Sequence, residues 1–284
     1  MTAQDVEGLL LVDKPQGVTS HDVVDVVRRG LATKKVGHAG TLDPMATGLL
    51  LIGVGRATRL LRFLGALPKT YEGTLRLGVE TTTLDADGDV VREAAVDATA
   101  AEVGNAMHAL VGESLQRPPA YSAVKVGGRK LYEAAREGER LEAEPRPIRV
   151  DAFDLLSYDA PNATFRVACS GGTYVRVLAA EVGAALSCGA HLGALRRTAI
   201  GSYAVDDAAP PEDAGEPLPL EAAVSHLPRL DLDADEAEAA SHGRPLGPAG
   251  LTGPYGVFGP DGRLIGVYED DGPRARPQVI LAPL

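Results

Sequence analysis

Apolar residues in the first part of the chain fall into blocks with two different periods. Short apolar or alternating runs are typical of strands, and a repeat of about 3.6 residues is typical of helices. Strands are predicted at residues 8–14, 49–55, 69–79, 148–158 and 163–170. Helices are predicted at residues 20–30, 56–67, 99–110, 128–138 and 173–187. Because strands and helices mix without a strict βαβ repeat, we predict an α+β fold.

Local signals refine some of these elements. Ser20 is expected to cap the first helix and Gly30 to end it. The sequence DADGDVV, residues 85–91, is expected to form a hairpin turn that enters a strand. Residues 56–67 carry arginines on the polar side of the predicted helix, and residues 191–205 are expected to form a loop followed by a strand.

The composition changes near Val205, which divides the chain into predicted units. Prolines lie among acids and alanines at residues 206–229, a pattern typical of a connector. Short apolar runs split by Gly, Pro and Asp follow, and they indicate a small β-rich domain at residues 230–284. Residues 1–205 are predicted to form the main domain.

The overall composition is that of a globular protein, with 45% apolar and 24% charged residues. No apolar run approaches membrane-spanning length, and the first residues, MTAQDVEGLLLVDKP, carry acids where a signal peptide carries bases. Cys169 and Cys188 form no Cys-x-x-Cys pair. We therefore expect a cytoplasmic protein with two reduced thiols.

The net charge of −11 is unevenly distributed along the chain. Eleven acids and one base lie between Asp206 and Glu238, whereas nine bases and two acids lie between Arg28 and Arg76. A local basic field attracts a polyanion whatever the total charge. The basic segment is therefore compatible with a nucleic-acid partner, and also with an ordinary solvated helix face.

Spacing excludes three familiar kinds of site. Gly53-Val54-Gly55 follows an apolar strand, but Thr58 stands where a dinucleotide fingerprint needs its third glycine. The sequence DADGD begins like a calcium loop, but its glycine comes too early and no glutamate closes it. The six histidines are scattered without a His-Glu-x-x-His pattern, so no metal site is expected.

Two glycine-flanked segments carry the candidate chemistry. The first is GHAGTLDPMATG, residues 37–48, where a proline forces Asp43 into an extended backbone. An aspartate on such a loop can be an N-cap, a metal ligand or a nucleophile. No second carboxylate lies near it in the sequence, which argues against paired acid–base chemistry. The second is CSGGTYVR, residues 169–176, where a glycine pair precedes a helix whose first turn carries Tyr174 and Arg176.

Six segments, taken in order, resemble the bacterial tRNA pseudouridine-55 synthases. They are LLLVDKPQGVTSHDVV, KKVGHAGTLDPMATGLLLIGVGRATR, KTYEGTLRLG, RPPAYSAVKVGGRKLYEAAREG, CSGGTYVRVLAAEVGAAL and AHLGALRRTAIGSY. The resemblance covers about Leu9 to Tyr203 and implies a mixed, largely antiparallel sheet flanked by helices and loops. The tail resembles, more weakly, the small β-barrel-like RNA-binding (PUA-like) domain of that family.

The resemblance implies an isomerisation without cofactor or metal, in which uridine 55 in the T loop of tRNA becomes pseudouridine. The base is flipped out, detached from its ribose, rotated and rejoined through carbon. Carried over by motif position, Asp43 is the nucleophilic or electrostatic catalyst and Arg176 pairs with it. Tyr71 stacks on the target base.

Four further residues are implied at the substrate site. Tyr174 and Leu195 line the pocket, and His38 occupies space within the T loop once bases are extruded. Lys14 lies near the site and supports it. Flat side chains suit these tasks, because a uridine inside a folded loop is accessible only after it has been flipped out.

The resemblance leaves two alternatives of other classes. One is a guide-RNA-dependent pseudouridine synthase subunit of a ribonucleoprotein, and the other is a tRNA-folding chaperone. In the preferred reading the partner is the T stem-loop of tRNA. We also expect a monomer, because no apolar helical stripe is left without a place in the core.

Overall fold

Seventeen strands and six α-helices make up the part of the chain that the computed structural model describes, residues 6–139 and 141–281. The strands are β1 (Gly8–Lys14), β2 (Val36–Ala39), β3 (Thr47–Val54), β4 (Lys69–Leu77), β5 (Val79–Thr81), β6 (Val90–Glu93), β7 (Gly112–Gln116), β8 (Lys125–Val126), β9 (Arg129–Lys130), β10 (Arg146–Asp159), β11 (Asn162–Cys169), β12 (Ala190–Ile200), β13 (Tyr203–Ala204), β14 (Arg229–Asp231), β15 (Pro254–Phe258), β16 (Leu264–Asp271) and β17 (Arg274–Ile280).

The α-helices are α1 (Ser20–Gly30), α2 (Leu61–Gly65), α3 (Ala100–His108), α4 (Leu131–Arg136), α5 (Val175–Ala185) and α6 (Ala234–Ser241). Short 3₁₀ turns lie at Gly55–Arg59, Val205–Asp207, Pro211–Asp213 and Leu220–Val224. Of the helices in the described ranges, none is long and apolar enough to cross a membrane.

The centre of the molecule is a large sheet. Within residues 6–139 and 141–281, nine strands form it in the order β1-β3-β12-β4-β11-β10-β7, with β2 added to β3 and β13 to β12. Neighbouring strands are antiparallel except for β3 and β12, which run parallel where Thr47 and Gly48 meet Arg196 and Arg197. The prediction of an α+β fold with a largely antiparallel sheet is confirmed.

The tail forms a second sheet in the order β14-β15-β16-β17. Its first pair is parallel and the other pairs are antiparallel. The helix α6 packs against β16 and β17, and Tyr268 of β16 donates a hydrogen bond to the carbonyl oxygen of Ala240 at 3.0 Å. Over the described residues this sheet is open, so its strands do not close into a barrel.

The N-terminus of α1 differs from the prediction that Ser20 caps it. The cap is Thr19, whose hydroxyl accepts a hydrogen bond from the amide of Asp22 at 3.1 Å. The Asp22 carboxylate accepts in return from the amide of Thr19 at 2.8 Å, which completes a capping box. Thr19 therefore has the reciprocal partner three residues on, and Ser20 is free to bond elsewhere.

Two other predicted elements also differ. Residues 56–67 form a 3₁₀ turn followed by the five-residue α2 instead of one amphipathic helix. Residues 190–200 form one continuous strand, β12, where a loop was expected to come first. Its pairing with β4 shifts register twice, between Leu192 and Ala194 and between Arg197 and Ala199. Such bulges break the strict alternation by which a strand is recognised in a sequence.

Residues 206–229 pack against the main sheet. The amide of Leu9 donates to the carbonyl oxygen of Leu218 at 2.9 Å, and the amide of Leu218 donates to that of Leu9 at 2.8 Å. One apolar cluster unites members of the main sheet, of this segment and of the tail sheet, among them Leu9, Leu51, Val224, Leu264 and Leu281. The boundaries near residues 205 and 229 stay a prediction, and a shared core crosses them.

Candidate active site

The loop that carries Asp43 is shaped by its glycines. This segment, residues 40–48 and called the Asp43 loop below, consists of the connection from β2 to β3 and the first two residues of β3. Gly40 has φ +85° and Gly48 has φ +101°, a region that disfavours other residues. At Gly48 a Cβ atom would lie 2.3 Å from the carbonyl oxygen of Arg197, so a larger residue would clash with β12. The glycines therefore serve to fold the loop around Asp43.

Hydrogen bonds fix the backbone on both sides of Asp43. The hydroxyl of Ser20 donates to the carbonyl oxygen of Leu42 at 3.1 Å and accepts from the amide of Leu42 at 2.9 Å. On the other side, the amide of Gly17 donates to the carbonyl oxygen of Pro44 at 2.8 Å. The start of α1 and the turn before it thus hold the residues that flank the carboxylate.

Lys14 binds the backbone of the same turn. It has no exposed surface, and its Nζ donates to the carbonyl oxygens of Pro15 at 3.0 Å, Val18 at 2.7 Å and Pro44 at 3.4 Å. Burial lowers the pKa of Lys14 to about 8, and the charge of Asp43 opposes that change. Lys14 therefore lies beside the Asp43 loop, bound to backbone carbonyls.

The guanidinium of Arg176 lies between two aspartates. Its Nη2 is 3.6 Å from Oδ2 of Asp43, while its Nη1 is 3.1 Å from Oδ2 of Asp85. Nη2 also donates a hydrogen bond to the carbonyl oxygen of Tyr121 at 2.6 Å. The arginine side chain is 6% exposed, as is expected for a group that orients its neighbours from inside the protein. Arg176 is thus anchored by Asp85 and Tyr121 and turns one nitrogen toward Asp43.

The Asp43 carboxylate itself reaches solvent, with 40% of its side chain exposed. Burial by surrounding residues nevertheless raises its pKa above the ordinary aspartate value. The charge of Arg176 opposes this rise in pKa, and the charges of Asp85 and Asp87 add to it. The result is an accessible carboxylate whose ionised form depends on a neighbouring cation.

Asp85 is one of two residues of this site that sequence reasoning missed. It is 3% exposed, and it accepts hydrogen bonds from the Thr83 hydroxyl and from the amide of Asp87 at 3.2 Å. The expectation that no second carboxylate lies near Asp43 holds along the sequence but not in space. The pattern DADGD gave no signal, because aspartate is an ordinary turn residue.

Tyr71 is buried beneath the Asp43 loop, with 6% of its surface exposed. It packs in one apolar cluster with Leu42 and Met45 of the loop. On the sheet it lies directly opposite Arg197 of β12. Burial raises the pKa of Tyr71, and the charge and hydrogen bond of Arg197 oppose that rise. Arg197 was also missed, because nothing in the sequence distinguishes it from the exposed arginines.

Tyr174 lies at the start of α5, two residues before Arg176, and Leu195 lies on β12 beside the Asp43 loop. Tyr174 is the N-cap residue of α5, and Gln116 brackets its backbone with hydrogen bonds of 2.8 Å and 3.2 Å. Leu195 is half-buried on β12 and, with Met45 and Thr47, lines a groove of about 310 Å³. This groove runs beside the Asp43 loop over the surface of β4.

His38 lies on β2, on the chain segment that leads into the Asp43 loop. Its ring is half-buried, and its Nδ1 has no hydrogen-bond partner in the described structure. Burial lowers the pKa of His38, and the charges of Arg197 and His21 lower it further. The ring is therefore neutral over a wider range of pH than an ordinary histidine.

The bases between Arg28 and Arg76, called the basic segment, differ in their surroundings. Arg56 and Arg62 donate hydrogen bonds to the carbonyl oxygens of Leu281 at 3.1 Å and Gln278 at 2.9 Å, and Arg59 donates to that of Ile280. These three arginines therefore hold the end of the tail sheet. Arg29, Lys34 and Lys35 are exposed beside β2, where their charges face solvent.

The arrangement suits chemistry at one carboxylate supported by a cation. The residues just described form no group of three or more His, Cys, Asp or Glu placed to hold a metal ion, and the search covered residues 6–139 and 141–281. An exposed carboxylate beside a buried guanidinium can attack an electrophilic carbon or stabilise a cationic sugar.

Comparisons with known proteins give matches over nearly the whole chain. The family model described as TruB family pseudouridylate synthase (N terminal domain) matches residues 28–175. The model described as tRNA Pseudouridine synthase II, C terminal, matches residues 227–282. The two matched regions lie on either side of the segment that links the two sheets.

Curated relatives and solved structures agree with these matches. A tRNA pseudouridine synthase B of Mycobacterium sp. (strain KMS) is 46% identical, with 97% of this chain and 96% of the relative covered. A protein of the same name from Mycolicibacterium paratuberculosis is 47% identical, with 97% and 98% covered. A chain in the crystal structure of a Cbf5-Nop10-Gar1 complex is similar with a TM-score of 0.74 at 26% identity, covering 97% of this chain and 85% of that one.

Proposed function

Since the chain belongs to the TruB family of pseudouridylate synthases, we propose that it isomerises uridine 55 in the T loop of tRNA to pseudouridine, with Asp43 as the essential carboxylate. As a member of that family the protein is an isomerase. The observation that supports the role of Asp43 is its combination of 40% exposure with a guanidinium 3.6 Å away. No cofactor is needed in this scheme.

The chemistry follows from the position of the charge. Breaking the bond between uracil and ribose leaves positive character on the sugar and negative character on the base. A carboxylate held at that point either forms a covalent bond with the sugar or the base, or stabilises the positive charge on the sugar. Arg176 keeps the carboxylate ionised and oriented, because its other nitrogen is anchored by Asp85 at 3.1 Å.

Base flipping is the step that the surroundings of Asp43 support. A uridine stacked inside the T loop cannot reach a carboxylate on the enzyme surface. We propose that His38 fills the vacated space in the loop, since a half-buried, neutral ring can lie among bases without a desolvated charge. Tyr71 then forms the floor against which the flipped base stacks, and Tyr174 and Leu195 line the pocket.

Attraction of the tRNA backbone is assigned to three exposed cations that precede β2. Arg29 lies in the last turn of α1, and Lys34 and Lys35 lie in the connection from α1 to β2, which leads to His38. Their exposed charges can release counterions from the phosphates of the T stem. Arg56, Arg59 and Arg62 are exposed too, but part of each guanidinium already binds a carbonyl group of the tail.

A second candidate function is favoured by one observation. The similar solved structures include chains of the Cbf5-Nop10-Gar1 complex and of an archaeal box H/ACA sRNP Nop10-Cbf5 complex, although the latter is only 24% identical and speaks to the fold alone. A guide-RNA-dependent subunit would need other components to choose its uridine. Relatives that are 46–47% identical and named tRNA pseudouridine synthase B favour the stand-alone enzyme.

One assay separates these functions. The purified protein is incubated with an unmodified T-arm hairpin carrying tritium at C5 of uridine 55, and the release of tritium is measured together with pseudouridine. The stand-alone enzyme releases tritium without added RNA or protein. A hairpin with cytidine at that position and the Asp43→Asn variant serve as controls. Absence of product with the hairpin and with whole tRNA would contradict the proposal and leave the guided subunit or the chaperone.

A further inference from the structure

A fully buried arginine stands between the Asp43 loop and the strand of Tyr71. Arg197 of β12 is 1% exposed. Its Nε donates a hydrogen bond to the carbonyl oxygen of Leu49 at 2.7 Å, and its Nη2 donates to that of Gly40 at 3.0 Å. Gly40 begins the Asp43 loop and Leu49 directly follows it. One guanidinium therefore ties the two ends of the loop together.

The backbone of Arg197 touches the same loop and the same tyrosine. It pairs with Gly48 on β3, where a Cβ atom would lie 2.7 Å from its amide nitrogen. On the other side it pairs with Tyr71 on β4, so the two side chains lie on one face of the sheet. Arg197 thus contacts both the loop that carries the Asp43 carboxylate and the strand that carries the Tyr71 ring.

Stability alone does not account for an arginine at this position. Its hydrogen-bond acceptors on the loop are neutral carbonyl oxygens, and a buried charge without a counter-ion is costly to fold. An apolar side chain would fill the volume without that cost. The guanidinium reaches the two ends of the loop through two different nitrogens, Nε and Nη2, held in one rigid plane, whereas lysine would have to serve both ends from a single flexible Nζ.

We propose that Arg197 is a positioning residue, whose guanidinium holds both ends of the Asp43 loop against the strand of Tyr71 so that carboxylate and ring meet the uridine in one geometry. Arg197 acts through these two residues and does not touch the substrate. Its effect on turnover rests on the proposed function, whereas its effect on the loop does not.

The chain offers a matched control. Lys69 is also a buried cation, 5% exposed, and its Nζ donates to the carbonyl oxygens of Gly65 at 2.8 Å and Leu67 at 2.7 Å. Those carbonyls belong to the end of α2 and the turn after it. The Lys69 side chain passes close to the Asp43 loop, since a Cβ atom at Gly40 would lie 3.4 Å from its Cε, and methionine keeps that packing. The control therefore shares the surroundings of Arg197 but not its hydrogen bonds to Gly40 and Leu49. Replacing either cation by methionine removes a buried charge and frees two carbonyl groups. The two variants should therefore lose comparable stability.

The experiment compares Arg197→Lys, Arg197→Met and Lys69→Met with the wild type in the full chain. Three quantities are measured: the single-turnover rate on the T-arm hairpin, the Kd of the hairpin, and amide hydrogen exchange over residues 40–49. Arg197→Lys should lower the rate about 100-fold, as expected when reacting groups are misplaced by about an ångström. Its Kd should stay within about threefold, and exchange over residues 40–49 should rise about tenfold or more.

The control decides between positioning and general destabilisation. Lys69→Met should keep its rate within about threefold and leave exchange over residues 40–49 unchanged. The inference is overturned if Arg197→Lys turns over within about fivefold of the wild type, or if Lys69→Met shows the same loss of rate and the same exchange. Should Arg197→Met not fold, the lysine variant carries the comparison. A wild type without turnover would refute the proposed function, and the exchange comparison alone would then decide the role of Arg197.

Discussion

At the scale of single residues, the site is organised around the charge of Asp43 and not around its packing. Burial raises the pKa of Asp43, which means that the folded protein favours the protonated form. A raised carboxyl pKa contributes stability that is present at low pH and is lost as the pH rises through the folded pKa. The ionised carboxylate, which the proposed function requires, therefore costs stability.

The first prediction concerns Asp43→Asn, which mimics the neutral form. We expect turnover to fall by about four orders of magnitude or more, as is typical when a catalytic group is removed. The Tm at neutral pH should be equal to that of the wild type or higher, because a partly desolvated charge is gone. Single-turnover kinetics and thermal unfolding measure the two effects. A lower Tm together with near-normal turnover would show that Asp43 is structural.

The second prediction concerns Asp85→Asn. This change removes the carboxylate closest to Arg176, so the guanidinium loses its anchor and turnover should fall about 10- to 100-fold. Because the charge of Asp85 also raises the pKa of Asp43, the acid limb of the kcat/KM profile should move to lower pH. An acid limb that moves to higher pH would contradict this and would mean that displacement of the Arg176 charge outweighs removal of the Asp85 charge.

These residues show how much of the site could be predicted from the sequence. Asp43 and Arg176 were predicted from motif position, and the structure brings them to 3.6 Å. Asp85 was taken as a turn residue, since turn aspartates and anchoring aspartates have the same local pattern. Arg197 could not be distinguished either, because burial of a charged side chain depends on strand pairing that no local pattern encodes.

At the scale of elements, two adjacent residues at the start of α1 make different contacts. Thr19 closes the capping box, whereas Ser20 binds both backbone groups of Leu42 next to Asp43. The prediction that Ser20 caps the helix was wrong, because the Thr19 hydroxyl is the cap. Both residues are good caps by type, and only the reciprocal partner Asp22 decides between them.

A third prediction follows from this division. Thr19→Ala should lower the free energy of unfolding by about 1 kcal/mol, the usual value for a lost N-cap, with turnover unchanged. Ser20→Ala leaves the amide and carbonyl of Leu42 without their partner, and it should reduce the single-turnover rate about tenfold or more beyond any effect on stability. Urea unfolding and rate measurements on both variants test this. Equal rates in the two variants would contradict the prediction.

Strand β12 shows why some elements resist prediction. Long apolar runs such as β3 and alternating ones such as β4 were predicted because their patterns are regular. The β12 sequence AHLGALRRTAI is small and basic in its middle, and two register shifts break its alternation. Its partners on both sides, β3 and β4, make it a strand. Tertiary pairing here outweighs local preference.

At the scale of the whole molecule, some arginines of the basic segment also hold parts of the fold together. Three exposed members of the basic segment bind carbonyl groups at the end of the tail sheet, so part of each guanidinium is engaged within the protein. The sequence gives the number of bases in this segment, but these contacts with the tail could not be predicted from it. The comparisons confirmed the family assignment. That assignment rested on the order of the motifs, which can be found in a sequence without knowledge of strand pairing.

The fourth prediction tests the exposed part of that field. Lys34→Ala combined with Lys35→Ala should weaken hairpin binding and reduce the slope of log K against log salt by about 1 to 2, since each phosphate contact contributes about 0.9. The matched control is Arg92→Ala with Arg229→Ala, two exposed arginines already paired with Glu80 and Asp231. An equal change in slope for both pairs would indicate a general charge effect.

The fifth prediction concerns truncation after Val205. Removal of the tail would expose Leu9 and Leu51, whose cluster includes Val224 and Leu264. We expect the truncated chain to lose cooperative unfolding and to aggregate, because exposed apolar surface of this kind is not tolerated by a soluble domain. Urea titration followed by circular dichroism measures this. A truncated chain that unfolds cooperatively and binds the hairpin normally would instead support the predicted independent units.

The shared core also has a consequence during synthesis of the chain. A ribosome makes Leu281 more than two hundred and fifty residues after Leu9, yet both belong to one apolar cluster. The nascent chain must therefore leave part of the apolar face of β1 uncovered while those residues are added, at about 5–20 residues per second. Completion of this cluster thus waits for the synthesis of the tail.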